Sequence, residues 1–243
     1  MHPAYAEHAA NWYRAGHELT VVDEQNIDQQ IEQLEVLILI NPNNPTGKLW
    51  QRQQLLDWHR TLAARGGWLV VDEAFMDGDS EHSLSGLPVR NGLIVLRSIG
   101  KFFGLAGLRC GFVIAQTSLL ETLAERLGPW NIGSPSRFVA AKALADISWQ
   151  QATAESMAAQ GKRLEALLGA SGWAPAGGTP LFQWLKFERA AELHHRLASQ
   201  GILTRLFDAP ASIRFGLPKD EAAWQRLGQA MNQRSIQELR ALA

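Results

Sequence analysis

Three short segments hold residue types that could do chemistry together. The first is Asn41-Pro-Asn-Asn-Pro-Thr-Gly-Lys48, directly after the aliphatic run Val36-Leu-Ile-Leu-Ile40. Asn-Pro and Pro-Thr-Gly force a tight, non-helical turn. In open α/β sheets the carboxyl ends of strands are where ligands bind. The same residues also suit a plain strand-to-helix turn. The second segment, Val70-Val-Asp72-Glu73-Ala74-Phe75, sets two carboxylates at the end of an apolar strand. A carboxylate there needs a cationic partner to offset its desolvation. A protonated heterocycle nitrogen would serve, and so would a basic side chain. No glycine-rich phosphate loop ending in Lys-Ser or Lys-Thr precedes it, which argues against the metal-binding acid of a nucleotide hydrolase. The third segment is Leu96-Arg-Ser98-Ile-Gly-Lys101-Phe-Phe-Gly-Leu-Ala-Gly-Leu-Arg109-Cys-Gly-Phe112. An apolar wall beside a lysine favours the neutral amine, the form that condenses with a carbonyl. Ser98 and Arg109 offer a hydroxyl and a planar fork for a phosphate. The alternative is a surface lysine in a flexible loop.

The elements that must hold these segments are legible as hydrophobic patterns. Short runs at 18–22, 36–40, 68–71, 93–96 and 110–114 are β-branched and lack strict alternation, as strands buried on both faces do. Between the second and third of these, over 51–65, Leu55, Trp58, Leu62 and Ala63 keep to one helical face until Gly66-Gly67 stops the pattern. Strands separated by helices imply an α/β fold with a mainly parallel sheet and covered faces. After about Ser118 the character changes. Helices are expected at 118–127, 136–146 and 149–168, then a strand at 181–187, a helix at 189–200, strands at 202–207 and 212–215, and a helix at 220–233. The expected organisation is a large domain over 1–148, followed over 149–243 by an interdomain helix and a small α+β domain.

Composition narrows the function classes. The chain has 243 residues, 46% hydrophobic and 19% charged, enough for a real core in one or two domains and too apolar for disorder. Lys plus Arg total 23 against 24 for Asp plus Glu, so no basic excess favours nucleic acid or an anionic membrane. The longest aliphatic run, 36–40, is far too short to span a bilayer. Met1-His-Pro-Ala-Tyr-Ala-Glu7 has no basic region followed by an apolar stretch, unlike a secretory signal. Cys110 is the only cysteine, so no intrachain disulfide or cysteine-based metal site can form, and a cytoplasmic location is expected.

In this order, the three segments resemble the fold-type I pyridoxal-phosphate enzymes of the aminotransferase class I/II branch. The resemblance runs over nearly the whole chain. It rests on the Asn-Pro-Thr-Gly turn, on Asp72 three residues before the aromatic Phe75, and on Ser98-x-x-Lys101 followed eight residues later by Arg109. Within the branch, Asp72-Glu-Ala-Phe-Met-Asp77, Gly100-Lys-Phe-Phe-Gly-Leu-Ala-Gly-Leu-Arg109 and Arg214-Phe-Gly-Leu-Pro218 look most like the cobalamin-pathway threonine-phosphate decarboxylases. That implies a large pyridoxal-phosphate-binding domain with a small C-terminal domain. It implies decarboxylation of a small phosphorylated amino acid, L-threonine O-3-phosphate, to (R)-1-amino-2-propanol O-2-phosphate. An aminotransferase of the histidinol-phosphate type is the alternative, since the cofactor residues serve both reactions.

The resemblance assigns roles by position. Lys101 would bind the cofactor covalently, and Asp72 would keep the pyridine nitrogen protonated. Asn44 would hydrogen-bond the phenolic oxygen and lie beside the substrate. Ala74 would pack on one ring face and Tyr5 on the other. Ser98 and Arg109 would bind the cofactor phosphate, and Arg214 the substrate carboxylate. A homodimer is implied, because the family builds its site across two subunits. Phe75 departs from the commoner Tyr, which suits the decarboxylase group. Against the family pattern the chain starts late. An N-terminal arm, the first large-domain strand, the glycine-rich phosphate cradle and the strand feeding Pro3 are expected to be missing. The strand at 18–22 is then expected to lose its neighbour. A fragment, a misplaced start or half of a split enzyme is the expectation, with an inactive truncated domain as the reading of another class.

Other conspicuous residues have plainer readings. His194-His195 lack the i, i+4 spacing of a metal pair and are expected to be solvated. Asp77, Asp79 and Glu81 lack calcium-loop spacing and are expected to form a solvated acidic turn. Cys110 is expected to be a buried, inert thiol. No metal site is expected.

Overall fold

A computed structural model describes residues 3–79 and 81–241. The chain divides into two compact units, residues 1–44 with 49–151, and residues 45–48 with 152–243.

The first unit begins with α1 (Ala6–Arg14) and the single turn α2 (Ile27–Gln30). It continues with β1 (Val36–Ile40), α3 (Arg52–Ala63), β2 (Trp68–Asp72), β3 (Leu93–Ser98) and β4 (Gly111–Ile114). The helices α4 (Thr117–Leu127) and α5 (Ser134–Ala145) follow, and α6 (Ile147–Ala170) starts here and runs on past the unit boundary. The sheet order is β1-β2-β3-β4, with the first three strands parallel and β4 antiparallel.

Alternation along these strands decides what each face carries. Leu37, Leu39, Leu69, Val71, Leu93 and Val95 pack with Leu55, Trp58 and Leu62 of α3 and with Leu84. Val70 and Ile94 lie on the other face, with Val36, Ile38 and Leu96, against Trp12 of α1 and Leu119 and Leu120 of α4. Both faces are covered, as the aliphatic runs predict. Beyond the strand ends the same alternation sends Asp72 and Ser98 to the α1 side and Glu73 and Arg97 to the α3 side. The α3 apolar stripe is buried as its spacing predicts, and Gly67 N–H closes the helix onto Leu62 C=O at 2.9 Å. A Cβ on Gly67 would meet Glu35 O at 2.5 Å, so only glycine lets β2 start there.

One expected strand is absent. Residues 18–22 have no regular structure, although Val22 is buried in the α3-side core. A strand exists only through its ladder, and among the described residues nothing pairs with 18–22; β1 ends the sheet on its other flank.

The second unit holds the rest of α6, then β5 (Gly177–Thr179), β6 (Phe182–Lys186), α7 (Ala190–Ala198), β7 (Arg205–Phe207), β8 (Ser212–Gly216), α8 (Glu221–Met231) and α9 (Arg234–Ala241). Its sheet is antiparallel, in the order β5-β6-β8-β7. Leu185, Ile213 and Phe215 bury one face against Leu164 and Leu168 of α6, Leu193 and Leu197 of α7, and Trp224 and Leu227 of α8. Asp220 caps α8, its carboxylate accepting from Ala223 N–H at 2.8 Å.

One expectation needs correction here: the strand expected over 202–207 contracts to β7, and the edge strand β5 and the helix α9 come in addition to the expected elements. Residues 45–48 belong to this unit, and Gly47 explains the Pro-Thr-Gly turn. It has φ +76°, and a Cβ there would lie 2.1 Å from Gly178 O.

Candidate active site

Asp72 ends β2 with a side chain only 14% exposed. Its Oδ1 accepts from Ala74 N–H at 2.9 Å, which turns the chain sharply out of the strand. Its Oδ2 lies 2.7 Å from His8 Nε2. His8 stands in the first turn of α1 and meets Tyr5 edge-on, ring centroids 5.8 Å apart. α1 is tied to the β1 loop by Asn43 Nδ2, which donates to Pro3 C=O at 2.9 Å. The fully buried Asn41 amide brackets that loop, accepting from Trp50 N–H at 2.8 Å and donating to Trp50 C=O at 3.4 Å. A cavity of about 530 Å³ runs along the β1 edge beside Tyr5 and His8. Tyr5 is 49% exposed and Asn44 half-buried.

Ser98 ends β3 on the same face as Asp72, whose Cα partner is Leu96 two residues earlier. Ser98 Oγ accepts from Gly100 N–H at 3.1 Å and shapes the bend that presents Lys101. Lys101 Nζ lies 5.3 Å from the Phe75 ring centroid. The residue is exposed, so the expected apolar wall stands on one side only. Behind the bend, Phe102 and Phe103 are buried, and Trp149 stacks on Phe103 at 5.7 Å. Arg109 closes a short 3-10 turn at Ala106–Leu108 with φ +51°, a conformation uncommon for a residue bearing a Cβ. It leaves the guanidinium exposed, with Nη1 donating to Ala106 C=O at 3.3 Å.

A second polar cluster occupies the α3 side of the same strand ends. Glu73 is 0% exposed and accepts from Ser83 Oγ at 2.5 Å and Leu84 N–H at 2.6 Å. Arg97 reaches Glu73 at 3.4 Å, Ser85 Oγ at 2.9 Å and Asp77 at 2.5 Å. Burial pushes both the Glu73 and Asp77 carboxyls up, partly offset by their hydrogen bonds and by the Arg97 charge. Asp77 is therefore not part of a solvated acidic turn: its side chain is 9% exposed, because Arg97 draws it in. Asp79 pairs with His82 Nδ1 at 2.8 Å. The sequence reading missed His8, Asn43 and this arginine-centred cluster. The i, i+3 spacing of Tyr5 and His8 was the one available signal for His8.

In the second unit Arg214 on β8 and Arg205 on β7 are direct cross-strand partners. Arg214 is half-buried over the Phe182 ring, 4.9 Å from its centroid. Burial pushes its guanidinium down, and the Arg205 charge adds to that. Like charges directly opposite each other destabilise a ladder. His194 departs from the solvated expectation: it is half-buried, its Nδ1 2.8 Å from Thr204 Oγ1. Cys110 is half-buried rather than buried. Among the described residues no cluster of three or more His, Cys, Asp or Glu could hold a metal ion, and no helix is long and apolar enough to cross a membrane.

The first unit thus sets a carboxylate and a hydroxyl at the ends of β2 and β3, and a lysine and an exposed guanidinium on the connection from β3 to β4. The model of the aminotransferase class I and II family matches residues 3–239. A threonine-phosphate decarboxylase of Pseudomonas aeruginosa is 52% identical, covering 95% of this chain and 70% of its own length. One from a Sinorhizobium species is 40% identical over 94% of this chain and 68% of its own. The solved structure of histidinol-phosphate aminotransferase from Sinorhizobium meliloti in complex with pyridoxal-5'-phosphate superposes with a TM-score of 0.84. It covers 99% of this chain and 69% of that one at 21% identity, which shows a shared fold. With motifs, sheet and family model in agreement, the chain belongs to the aminotransferase class I and II family.

Proposed function

We propose that the chain is a pyridoxal-phosphate enzyme that decarboxylates L-threonine O-3-phosphate to (R)-1-amino-2-propanol O-2-phosphate, a linker of cobalamin's nucleotide loop. The observation that carries this reading is the 52% identity to a threonine-phosphate decarboxylase over 95% of the chain. A second relative of the same name, 40% identical, points the same way. Aminotransfer of the histidinol-phosphate type is not favoured.

The residues fit the cofactor by the chemistry of the donor set. Lys101 supplies an exposed primary amine above an aromatic ring. Asp72 supplies a carboxylate fixed by the Ala74 N–H. Ser98 and Arg109 supply a hydroxyl and a guanidinium for a phosphate. Lys101 would hold the cofactor through Nζ, Asn44 would bond its phenolic oxygen, and Ala74 and Tyr5 would flank its ring. When bound, pyridoxal phosphate supplies an electron sink for the bond that breaks.

The protein's own groups do the rest. Asp72 keeps a proton on the ring nitrogen. Arg214 takes the substrate carboxylate as a bidentate fork, and its cross-strand neighbour Arg205 adds charge for a second anionic group. Lys101 Nζ, released when the substrate amine takes its place, would deliver the proton that replaces carbon dioxide on carbon.

The cofactor-binding domain is assigned to residues 1–148 and the interdomain helix with the small domain to 149–243. A cytoplasmic homodimer completes the proposal. Exposed apolar side chains at Trp130 (92%), Phe138 (66%) and Ile147 (56%) support a partner surface.

The test is to incubate the protein with pyridoxal phosphate, reduce with borohydride and map the adduct by peptide mass spectrometry. A stoichiometric adduct at Lys101, then carbon dioxide and a phosphorylated amine from threonine phosphate, is expected. Scattered labelling of surface lysines, or a keto product with glutamate, would reject the proposal.

A further inference from the structure

We infer that the open edge of β1 and the segment 18–22 frame a docking slot for one extended, aliphatic β-strand of a separate polypeptide, equivalent to the stretch by which the relatives outrun this chain. The inference stands independently of the proposed reaction. The direction of the β1 backbone groups follows from its pairing. Along a strand in a parallel ladder, successive residues turn their N–H and C=O groups to opposite edges. Trp68 N–H donates to Glu35 C=O at 2.9 Å, and Asn41 N–H to Asp72 C=O at 2.9 Å. The odd-numbered positions of β1 therefore bond β2. Val36, Ile38 and Ile40 turn their groups to the other edge, where among the described residues no strand pairs with them. All three line the cavity of about 530 Å³ along this edge. A row of unpaired edge groups is a template for another strand.

The far wall of the cavity is residues 18–22, which have strand composition and no regular structure. Val22 is buried in the α3-side core, while Leu19 and Val21 are 41% and 68% exposed. The helix α1 lines the cavity through Ala9 and Trp12 and buries none of its residues. The chemistry of the occupant follows from these walls. Its side chains would alternate between the α1-side core, where Val36 and Ile38 lie, and the α3-side core, where Val22 and Leu37 lie. Consecutive residues must therefore be apolar, as they are in β1 itself. The relatives offer a source for such a segment. The match takes in 70% and 68% of the two decarboxylases' own lengths, so about three tenths of each has no counterpart here.

The test uses this 243-residue chain and, as probe, short overlapping synthetic peptides covering the stretch of the Pseudomonas aeruginosa relative outside the match. Residue-resolved amide hydrogen exchange is followed with and without each peptide. A peptide with an aliphatic run should slow exchange at Val36, Ile38 and Ile40, and within 18–22, at least about tenfold. Leu37 and Leu39, already bonded to β2, should change less, and β6 and β8 not at all. Val36→Pro alters the first strand position, where proline is tolerated, and removes one edge donor. Val21→Lys places a charge on an exposed wall position that a docked strand would bury. Each should weaken peptide binding at least about fivefold, the size of one hydrogen bond. If Val36→Pro does not fold, Val21→Lys decides. The inference is overturned if no peptide slows exchange, if protection is confined to the face around Trp130 and Phe138, or if folded Val21→Lys binds as wild type does. Protection of the β1 edge that grows with the concentration of the chain alone also overturns it, because a second copy would then fill the slot. None of these readouts needs pyridoxal phosphate, so each outcome leaves the proposed reaction to its own test.

Discussion

The two faces of the first unit's sheet treat neighbouring carboxylates in opposite ways. Asp72 and Glu73 are adjacent in sequence, and so are Arg97 and Ser98. On the α3 side, Glu73 and Arg97 close into a dense network with Asp77, Ser83 and Ser85. On the α1 side, Asp72 has one side-chain partner, and Ser98 and Lys101 carry donors that remain accessible. The α3 side ties the strand ends together, and the α1 side carries the residues proposed to do chemistry. A buried ion pair is weak evidence of net stability. Here its value is geometric, because it fixes the residues on either side of Asp72 and Ser98.

Three perturbations would break or sharpen that contrast. The largest effect is expected from Lys101→Ala, which should abolish the borohydride-reducible adduct and lower turnover by about a thousandfold or more. Its urea-unfolding free energy should stay within about 0.5 kcal/mol of wild type, as for other exposed positions. A large loss of stability would mean that the α1-side cluster is structural too. Arg97→Ala should do the reverse. It strands two buried carboxylates and should cost about 3–5 kcal/mol in the same measurement. A cost under about 1 kcal/mol would show that Ser83 and the Leu84 N–H suffice for Glu73.

The smallest effect is a pH slope. Burial raises the Glu73 and Asp77 carboxyls from their ordinary 4.5 and 3.8. The folded state therefore binds more protons than the unfolded one in the window just above those values. Their contribution to stability is present below the ordinary range and is lost as pH rises through the raised folded values. Glu73→Gln and Asp77→Asn should each flatten that fall in urea titrations across the window. An unchanged slope would assign it to other groups.

Much of the fold was legible because its signals are local. Aliphatic runs marked β1 to β4, the spacing of Leu55, Trp58 and Leu62 marked α3, and Gly66-Gly67 marked its end. The exception is instructive. Residues 18–22 have strand composition and no ladder partner, and hydrogen bonding between segments is invisible in one of them. Asp77 failed for a related reason. Three acids in five residues read as a wet turn, until an arginine 20 positions away buried one of them.

The site shows the same division. Residue types and spacing along the chain carry the proposed chemistry, since the acid Asp72, the hydroxyl of Ser98, the amine of Lys101 and the guanidinium of Arg109, in that order, are a covalent property. Tertiary structure shows how the two adjacent acids part, Asp72 to the α1 side and Glu73 into the buried α3-side network. It also decided that His8, 64 positions from Asp72, would lie 2.7 Å from its carboxylate. Side-chain alternation at a strand end and contacts between distant segments exist only once the sheet has formed, because both depend on where other parts of the chain come to lie.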